Sequence, residues 1–201
     1  GSLVARGLSV TVVEVAGSLV ELLLDACLRH LSHWIAERVL ESAEVRRAEG
    51  RLEFHDLLVL ARDLLRRDAA VRSDLQERFE RLLLDEFQDT DPIQIELAVR
   101  IAGGEEADAE DWREVDVPEG RLFVVGDPKQ SIYGWRSADL DAYEGLVDEI
   151  AKAGGDVRAL VRNFRSTPAI LDEVERIVGP VMIERAGIQP AFRPLVAHRA
   201  E

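Results

Sequence analysis

The stretch RLLLDEFQDTDPIQIE, residues 81–96, runs from apolar residues directly into a cluster of acids and amides. Its apolar part is typical of a strand that is covered on both faces. Asp91 and the proline after it form a helix start, because they pair a capping side chain with a residue suited to the first turn. Since Asp91 already supplies that cap, Asp85, Glu86 and Gln88 need another explanation.

The same order of apolar run, capping residue and proline occurs twice more along the chain. RLFVVGD (121–127) and VRALV (157–161) are short apolar runs, and prolines follow Asp127 and Thr167. Strands that alternate with helices predict an α/β fold with a parallel sheet. In such sheets the strand ends and helix starts lie at one edge, where ligands and anions bind. The sequence therefore predicts a ligand site at that edge.

The two adjacent acids at the first strand end predict a division of labour. Successive strand residues point to opposite faces, so Asp85 and Glu86 are not two copies of one role. One carboxylate can hold Mg²⁺, directly or through its waters, while the other orients or deprotonates an attacking water. Gln88 adds a neutral side chain that can sense a ligand. The alternative is that these acids only cap the next helix.

The second strand leads into VVGDPKQSIYGWRSAD, residues 124–139. Gly126 would permit close approach of a backbone or a ligand, and Gln130 would lie at the same edge as Gln88. Three residues that combine aromatic rings with a guanidinium then crowd the loop: Tyr133, Trp135 and Arg136. An exposed indole beside a guanidinium is a stacking platform for a nucleobase. Burial in the core is the alternative for the aromatic residues.

The third strand leads into NFRSTPAIL, residues 163–171. Phe164 could stack on a flat ring, and Arg165 could reach a phosphate, because both precede a helix start. A solvated surface charge is the alternative for Arg165.

The first eighty residues predict mainly helices. LSVTVVEV (8–15) is rich in β-branched residues and predicts a strand. Ser18 and Glu21 have the spacing of a capping box, which predicts a long helix that ends near Arg47. Apolar residues that recur at three and four predict one buried face on it: Leu24, Cys27, Leu28, Leu31, Trp34, Ile35 and Val39. Two shorter amphipathic helices are predicted at 55–67 and 69–79.

Composition limits the class of protein. The 201 residues carry a net charge of −14, which argues against a surface that binds nucleic acid all over. Half of that charge lies between Gly103 and Gly120, which predicts a solvated acidic insertion. The single cysteine, Cys27, excludes an internal disulfide and favours a reducing cytoplasm, with a buried position expected for its side chain. The sequence offers no apolar run of the roughly 20 residues that a bilayer crossing needs.

Taken together, these motifs resemble the UvrD/Rep class of superfamily 1 DNA helicases. LLLDEFQDTD is similar to the Walker B motif of that family, and VVGDPKQSIYGWRSAD to the motif that couples ATP to single-stranded DNA. NFRST resembles the start of the second motor domain, and LEFHDLL (52–58) a segment that precedes Walker B. The wording DPxQ and GDPKQSIY leans toward the RecB/AddA branch of helicase-nucleases.

The resemblance implies a role for each matching residue, with ATP and Mg²⁺ as cofactors. Asp85 would serve Mg²⁺ and Glu86 would activate the hydrolytic water, while Gln88 and Gln130 would sense the γ-phosphate. Phe164 would lie against adenine, although it lacks the hydroxyl of the tyrosine found in many relatives. Arg165 would stabilise γ-phosphate charge in the transition state. The residues implied at the DNA are Tyr133, Trp135, which would stack on a base, and Arg136, which would link that contact to the nucleotide.

The resemblance also implies a domain plan and a partner. Residues 51–162 would form most of a first RecA-like motor domain and residues 163–201 the start of a second, while residues 1–50 would form a helical segment of an inserted subdomain. The expected function is ATP-driven movement on single-stranded DNA, with 3′ to 5′ polarity, alongside nuclease or recombination subunits and away from membranes.

One departure from the family pattern keeps other functions open. The sequence lacks the G-x-x-x-x-G-K-[ST] phosphate loop, so the expectation is a piece of a larger motor that alone does not hydrolyse ATP usefully. A helicase-like protein-interaction module without catalysis is the alternative. A metal-dependent nuclease or phosphatase is a weaker one, because two-metal sites need several converging carboxylates.

Overall fold

A computed structural model describes residues 2–104 and 107–199 of the chain, with side chains from residue 17 onward. The chain divides into two compact units, Gly1–Leu57 and Leu58–Glu201. None of the described helices combines the length and the apolar character that a membrane crossing requires.

The first unit is dominated by one long helix, α1 (Ser2–Ala48). The predicted strand at 8–15 is wrong, because this segment is helical. The helix start predicted at Ser18 is wrong for the same reason, whereas the predicted end near Arg47 is confirmed. Helix propensities differ by less than about 1 kcal/mol per residue, so a few β-branched residues do not stop a helix that is already growing.

The predicted buried face of α1 is also wrong. The side chains that were expected to be buried are exposed: Leu24, Cys27, Leu28, Leu31, Trp34, Ile35 and Val39. An apolar stripe at helical spacing shows that a face is suited to burial. It does not supply the element that covers the face.

The end of α1 is joined to the start of the next helix, α2 (Phe54–Arg67), by a partly buried ion pair. Arg46 donates from Nε and Nη2 to the two carboxylate oxygens of Asp56, over 2.8 and 2.7 Å. The backbone N–H of Glu53 donates to the same carboxylate over 3.0 Å. The hydrogen bonds from Arg46, and then from Glu53, lower the pKa of Asp56 to about 2. Asp56 therefore fixes the turn between the two helices.

The second unit alternates helices with short strands. The helices that follow α2 are α3 (Ala69–Arg78), α4 (Pro92–Ala102), α5 (Leu140–Lys152) and α6 (Pro168–Val178). The strands are β1 (Leu82–Leu84), β2 (Leu122–Val124), β3 (Arg162–Asn163) and β4 (Val196–Ala197). The helices predicted at 55–67 and 69–79 are confirmed as α2 and α3. The start of α4 is confirmed as well, because Asp91 forms a capping box with Gln94.

The strands form small parallel sheets in the described part of the chain. β1 pairs with β2 in parallel, with Leu83 opposite Phe123. β3 pairs with β4 in a separate parallel sheet. The third strand predicted at 157–161 is therefore wrong in position, and it does not extend the first sheet. A short apolar run predicts a strand but carries no information on its pairing partner. The protein is mixed helical with small parallel sheets.

The hydrophobic core of the second unit lies between the first sheet and the helices α4 and α5. Its buried members are Phe87, Ile95, Val99, Ala107, Trp112, Val115 and Leu146. Leu84, Leu122 and Val124 pack against this cluster from one face of the sheet. Leu83 and Phe123 are exposed on the strands between them, so the prediction that both faces are covered is wrong for the described chain.

The acidic segment 103–120 is better anchored than its composition predicts. Its described acids are exposed as expected: Asp108, Glu110, Asp111, Glu114, Asp116 and Glu119. Glu105 and Glu106 lie outside the described residues. The apolar side chains between the acids, Ala107, Trp112 and Val115, are buried in the core. The segment is thus a charged surface on a packed base and not a freely solvated loop.

Candidate functional site

Two carboxylates stand at the carboxyl end of β1, where the backbone turns sharply. Asp85 and Glu86 are both exposed, and Oδ1 of Asp85 accepts a 2.9 Å hydrogen bond from the backbone N–H of Glu86. Glu86 has a φ of 52°, in the left-handed region that non-glycine residues rarely adopt. A turn of 3₁₀ helix, Phe87–Asp89, follows at once. Backbone strain of this kind is concentrated at functional sites.

Gln88 connects this turn to the end of β2. Its side chain is among the most buried in the protein, with the residue 1% exposed. Its Nε2 donates to Oε2 of Glu86 over 2.9 Å, and its Oε1 accepts from the backbone N–H of Asp127 over 2.9 Å. The hydroxyl of Ser131 donates to the Gln88 carbonyl over 3.1 Å. Gln88 thus contacts both strand-end loops.

Gly126 makes this close approach possible. A Cβ at this position would lie 2.9 Å from Oε1 of Gln88 and 3.2 Å from the ring of Tyr143. The expectation that Gly126 permits close contact is met by Gln88 and Tyr143. Burial raises the pKa of Tyr143, and the charges of Asp127 and Glu144 raise it further.

The loop after β2 begins with a capped turn. Oδ1 of Asp127 accepts from the backbone N–H of Lys129 over 3.1 Å, and Oδ2 accepts from Nε2 of Gln130 over 3.1 Å. The predicted cap at Asp127 with a proline in the first turn is confirmed, but the helix that starts there is a single 3₁₀ turn, Pro128–Gln130, and not an α-helix. The next α-helix, α5, begins later and is capped by Asp139. Gln130 lies at the carboxyl edge of the first sheet, as Gln88 does.

The aromatic residues of this loop stay at the surface. Trp135 is 73% exposed. The guanidinium of Arg136 lies 4.4 Å from the centre of the Trp135 ring. Arg136 is also 5.7 Å from the ring of Tyr133, whose centre lies 6.3 Å from that of Trp135. These three residues, 133, 135 and 136, form what we call the aromatic platform. A flat, exposed indole backed by a cation has the chemistry to stack on a nucleobase.

Phe164 and Arg165 follow β3, in the second sheet. Oδ1 of Asn163 accepts hydrogen bonds from the backbone N–H groups of Arg165 and Ser166, over 2.8 and 2.7 Å. These bonds shape the turn that follows β3. Phe164 is exposed, and its ring lies 4.7 Å from the ring of His198. The structure therefore groups Asp85, Glu86, Gln88 and Gln130 at the first sheet and places Phe164 and Arg165 at the end of the other.

Three residues beside the site were not predicted from the sequence: Asp89, Ser131 and Tyr143. Oδ1 of Asp89 is buried without a hydrogen-bond partner among residues 2–104 and 107–199. Asp89 belongs to the same polar run as Glu86, so its position in that run was an available signal. Tyr143 and Ser131 gave none, because their contacts depend on how the chain folds back on Gln88.

The donor set at β1 can be compared with the needs of a metal ion. The described ranges contain no group of three or more His, Cys, Asp or Glu side chains placed to hold one. Mg²⁺ bound with a nucleotide typically takes one or two carboxylates, with water and phosphate oxygens as its other ligands. Asp85 fits that need. A two-metal nuclease centre would need more carboxylates than meet here.

Comparison with known proteins identifies similar sequences over most of this region. A family model described as UvrD/REP helicase N-terminal domain matches residues 28–151. The chain is similar to RecBCD enzyme subunit RecB of Mycobacterium tuberculosis, with 34% identity over 175 residues, and to that of Mycolicibacterium smegmatis, with 33% identity over 145 residues. It is also similar to DNA helicase II of Escherichia coli, with 31% identity over 129 residues.

These similarities cover most of the chain but little of each relative. The alignments include 82% of the chain for the M. tuberculosis protein, 71% for the M. smegmatis protein and 64% for the E. coli protein. They span 13%, 12% and 16% of the respective relatives. The chain therefore corresponds to a small part of each relative.

Proposed function

The chain belongs to the UvrD/REP helicase family, and on this premise we propose that its full-length protein is an ATP-dependent DNA helicase or translocase. The proposed activity is 3′ to 5′ movement along single-stranded DNA in repair or recombination. One observation carries the proposal: Gln88 bridges the carboxylate of Glu86 to the loop that bears Gln130 and the exposed Trp135. A motor needs such a junction, because hydrolysis and strand binding must affect each other.

We assign the parallel pair β1–β2 to a first RecA-like motor domain, within residues 51–162. Residues 163–201 would open the second motor domain, and residues 1–50 would belong to an inserted helical subdomain. The parallel register of β1 and β2 and the polar residues at their carboxyl ends support this assignment. Closure of the cleft between two such domains would bring Phe164 and Arg165 to the nucleotide.

At the nucleotide, Asp85 would hold Mg²⁺, and Glu86 would act on the attacking water. Bound Mg²⁺ supplies charge neutralisation at the phosphate oxygens. Oε2 of Glu86 is engaged by Gln88, so we assign Oε1 to accept the proton of the water as it approaches the γ-phosphorus. Gln130 would orient the γ-phosphate, Arg165 would neutralise the charge that grows in the transition state, and Phe164 would stack on the adenine.

At the DNA, the aromatic platform would bind one base of a single strand. Trp135 would stack on the base, Tyr133 would support the ring, and Arg136 would add a cation–π contact. Nuclease or recombination subunits are the proposed protein partners, since two relatives are named as a subunit of RecBCD enzyme.

Substitution of Trp135 tests the DNA-binding part of this proposal. In the full-length protein, Trp135→Ala should weaken binding to oligo(dT) by about tenfold, the effect of losing one stacked base worth about 1–3 kcal/mol, and should slow unwinding. Fluorescence anisotropy and a strand-displacement assay measure the two effects. Trp34→Ala is the matched control, because Trp34 is also an exposed tryptophan but lies on α1. Equal affinity of the Trp135→Ala protein and the wild type would exclude the platform as a binding site.

A further inference from the structure

We propose that Gln88 is a positioning residue that transmits the state of the aromatic platform to the carboxylate of Glu86. The inference rests on the proposed function, since it takes Glu86 as the base and the platform as the DNA contact. It assigns Gln88 a regulatory role in place of direct contact with a phosphate.

The side-chain amide of Gln88 already has hydrogen-bond partners at both of its polar atoms. Its Nε2 donates to Oε2 of Glu86 over 2.9 Å and lies 3.4 Å from Oδ2 of Asp89. Its Oε1 accepts from the backbone N–H of Asp127 over 2.9 Å. Because the residue is buried, contact with a phosphate would require breaking these bonds in a region of low dielectric constant, where unpaired polar groups are costly.

The loop that carries the aromatic platform, residues 127–139, contacts Gln88 and its neighbours at several points. We call it the platform loop. The loop starts at Asp127, whose N–H binds the Gln88 side chain, and Ser131 binds the Gln88 carbonyl over 3.1 Å. At the far end, the N–H of Asp139 donates to the carbonyl of Thr90 over 3.3 Å. A movement of the platform loop would therefore also move the segment 86–90, which carries Glu86.

The hydrogen bond between Gln88 and the platform loop is sensitive to small movements. The hydrogen bond between Asp127 and Gln88 measures 2.9 Å, whereas a separation of about 3.6 Å no longer counts as a hydrogen bond. A shift of the loop by less than about 1 Å would release Oε1 and free the amide to rotate, which would withdraw Nε2 from Glu86. The backbone of Gly126 packs tightly against the Gln88 side chain, since even a Cβ at this position would lie only 2.9 Å from Oε1. A small loop movement thus decides whether the carboxylate of Glu86 is held.

The test is the stimulation of ATP hydrolysis by oligo(dT) in the full-length protein with Gln88→Met. Methionine keeps the volume and removes the side-chain hydrogen bonds to Glu86, Asp89 and Asp127. We expect the ratio of kcat with DNA to kcat without DNA to fall by about tenfold, the factor for one hydrogen bond to a charged group. The KM for ATP and the affinity for oligo(dT) should stay within about twofold, since Gln88 contacts neither ligand in this account.

Two further variants separate coupling from folding. Gln88→Glu keeps an acceptor for Asp127 but replaces the amide donor by a buried carboxyl group beside those of Glu86 and Asp89, which disturbs the contact with Glu86, so the DNA stimulation should also be lost. It decides the question if Gln88→Met does not fold. Gln76→Met is the matched control, because Gln76 is a partly buried glutamine that donates to the carbonyl of Arg100 over 3.0 Å, away from the site. It should lower the melting temperature but leave the stimulation ratio unchanged.

The outcomes distinguish this inference from the function on which it rests. Loss of the ratio in both Gln88 variants, with KM and DNA affinity preserved, supports coupling. If the Gln88 variants are stimulated by DNA as strongly as the wild type, coupling through Gln88 is overturned but the proposed function is not. If these variants also show a raised KM for ATP, Gln88 contacts the phosphate directly. A wild type without DNA-stimulated hydrolysis overturns the proposed function and this inference with it.

Discussion

Gly126 lies directly against Gln88, where the two strand-end loops are in contact. Glycine is needed there for its lack of a side chain, because a Cβ would lie 2.9 Å from Oε1 and 3.1 Å from the backbone nitrogen of Gln88. The backbone nitrogen cannot move aside as the tip of a flexible side chain would. The residue therefore sets the distance across the junction between Glu86 and the platform loop.

We predict that Gly126→Ala destabilises the protein by about 1–3 kcal/mol, the usual cost of overpacking, and displaces Gln88. Urea unfolding followed by circular dichroism measures the stability. Gly145→Ala is the matched control, since a Cβ at Gly145 meets no described atom within 4 Å and alanine is the better residue inside a helix. The control should be neutral or stabilising, and an equal loss in both variants would contradict the steric argument.

The carboxyl group of Asp56 makes stability depend on pH, because its pKa is about 2 in the folded protein against an ordinary value of 3.8. A carboxyl whose pKa is lowered by folding stabilises the protein above its unfolded pKa. That stabilisation is lost as the pH falls from about 4 to about 2, since the unfolded chain takes up the proton first.

We therefore expect Asp56→Asn to lower the free energy of unfolding at pH 6, and the difference from the wild type to shrink toward pH 3. Urea titrations at both values measure it. Asp25→Asn is the control, because it breaks an exposed pair with Arg29 within α1 and should change stability little at either pH. A difference that does not depend on pH would show that Asp56 acts through packing and not through its charge.

At the scale of elements, the acidic segment is held by a side chain of α4. Arg100 is 0% exposed, donates from Nε to Glu96 over 2.7 Å, and donates to the carbonyls of Ala107 and Ala109 over 2.7 and 2.8 Å. Arg66 also donates to the Glu96 carboxylate, over 2.6 and 3.0 Å. The guanidinium of Arg100 thus neutralises the buried carboxylate of Glu96. It also donates to the carbonyls of Ala107 and Ala109, which would otherwise lack hydrogen-bond partners among the described residues.

Arg100→Met should destabilise the protein by about 3 kcal/mol or more, because it leaves buried carbonyls unsatisfied and removes one partner of Glu96. The melting temperature and the urea midpoint should both fall. Arg176→Met is the matched control, since Arg176 pairs with Glu173 on an exposed helix face, where such pairs contribute little. Comparable losses in the two variants would contradict the anchoring role of Arg100.

The elements that were predictable from the sequence are those fixed by local signals. The capping box of Asp91, the helices α2 and α3, and the apolar runs of β1 and β2 each follow from a few neighbouring residues. The start of α1 and the position of β3 were not predictable, because both depend on competition between helix and strand or on a distant pairing partner. Short runs such as 157–161 carry too little pattern to decide that competition.

The candidate site likewise has features that local sequence signals predict and features that depend on distant contacts. The residue types at the strand ends and the exposure of Trp135 follow from the sequence, since prolines and caps mark where each strand ends. The bridging role of Gln88 did not, because a buried amide between two loops leaves no periodic signal. Tyr143 and Ser131 were missed for the same reason.

At the scale of the whole molecule, the proposed roles are divided between two small sheets. Glu86 and the platform belong to the first sheet and its loops, while Arg165 belongs to the turn after β3. A phosphoryl-transfer site shared between two domains can be assembled and opened by domain movement, which is how a motor converts hydrolysis into displacement. The chain spans only 12–16% of the relatives compared above, so this division concerns the full-length protein.

The most direct test of this account is the steady-state ATPase rate of the full-length protein, with and without oligo(dT), for the wild type and Glu86→Gln. The substitution keeps the shape of the side chain and removes the proposed base, so hydrolysis should fall by at least about 10²-fold while ATP binding persists. Stimulation of the wild type by DNA, and its loss in Glu86→Gln, is the predicted result. Hydrolysis that survives in the variant would contradict the role of Glu86, and absence of hydrolysis in the wild type would favour a helicase-like interaction module.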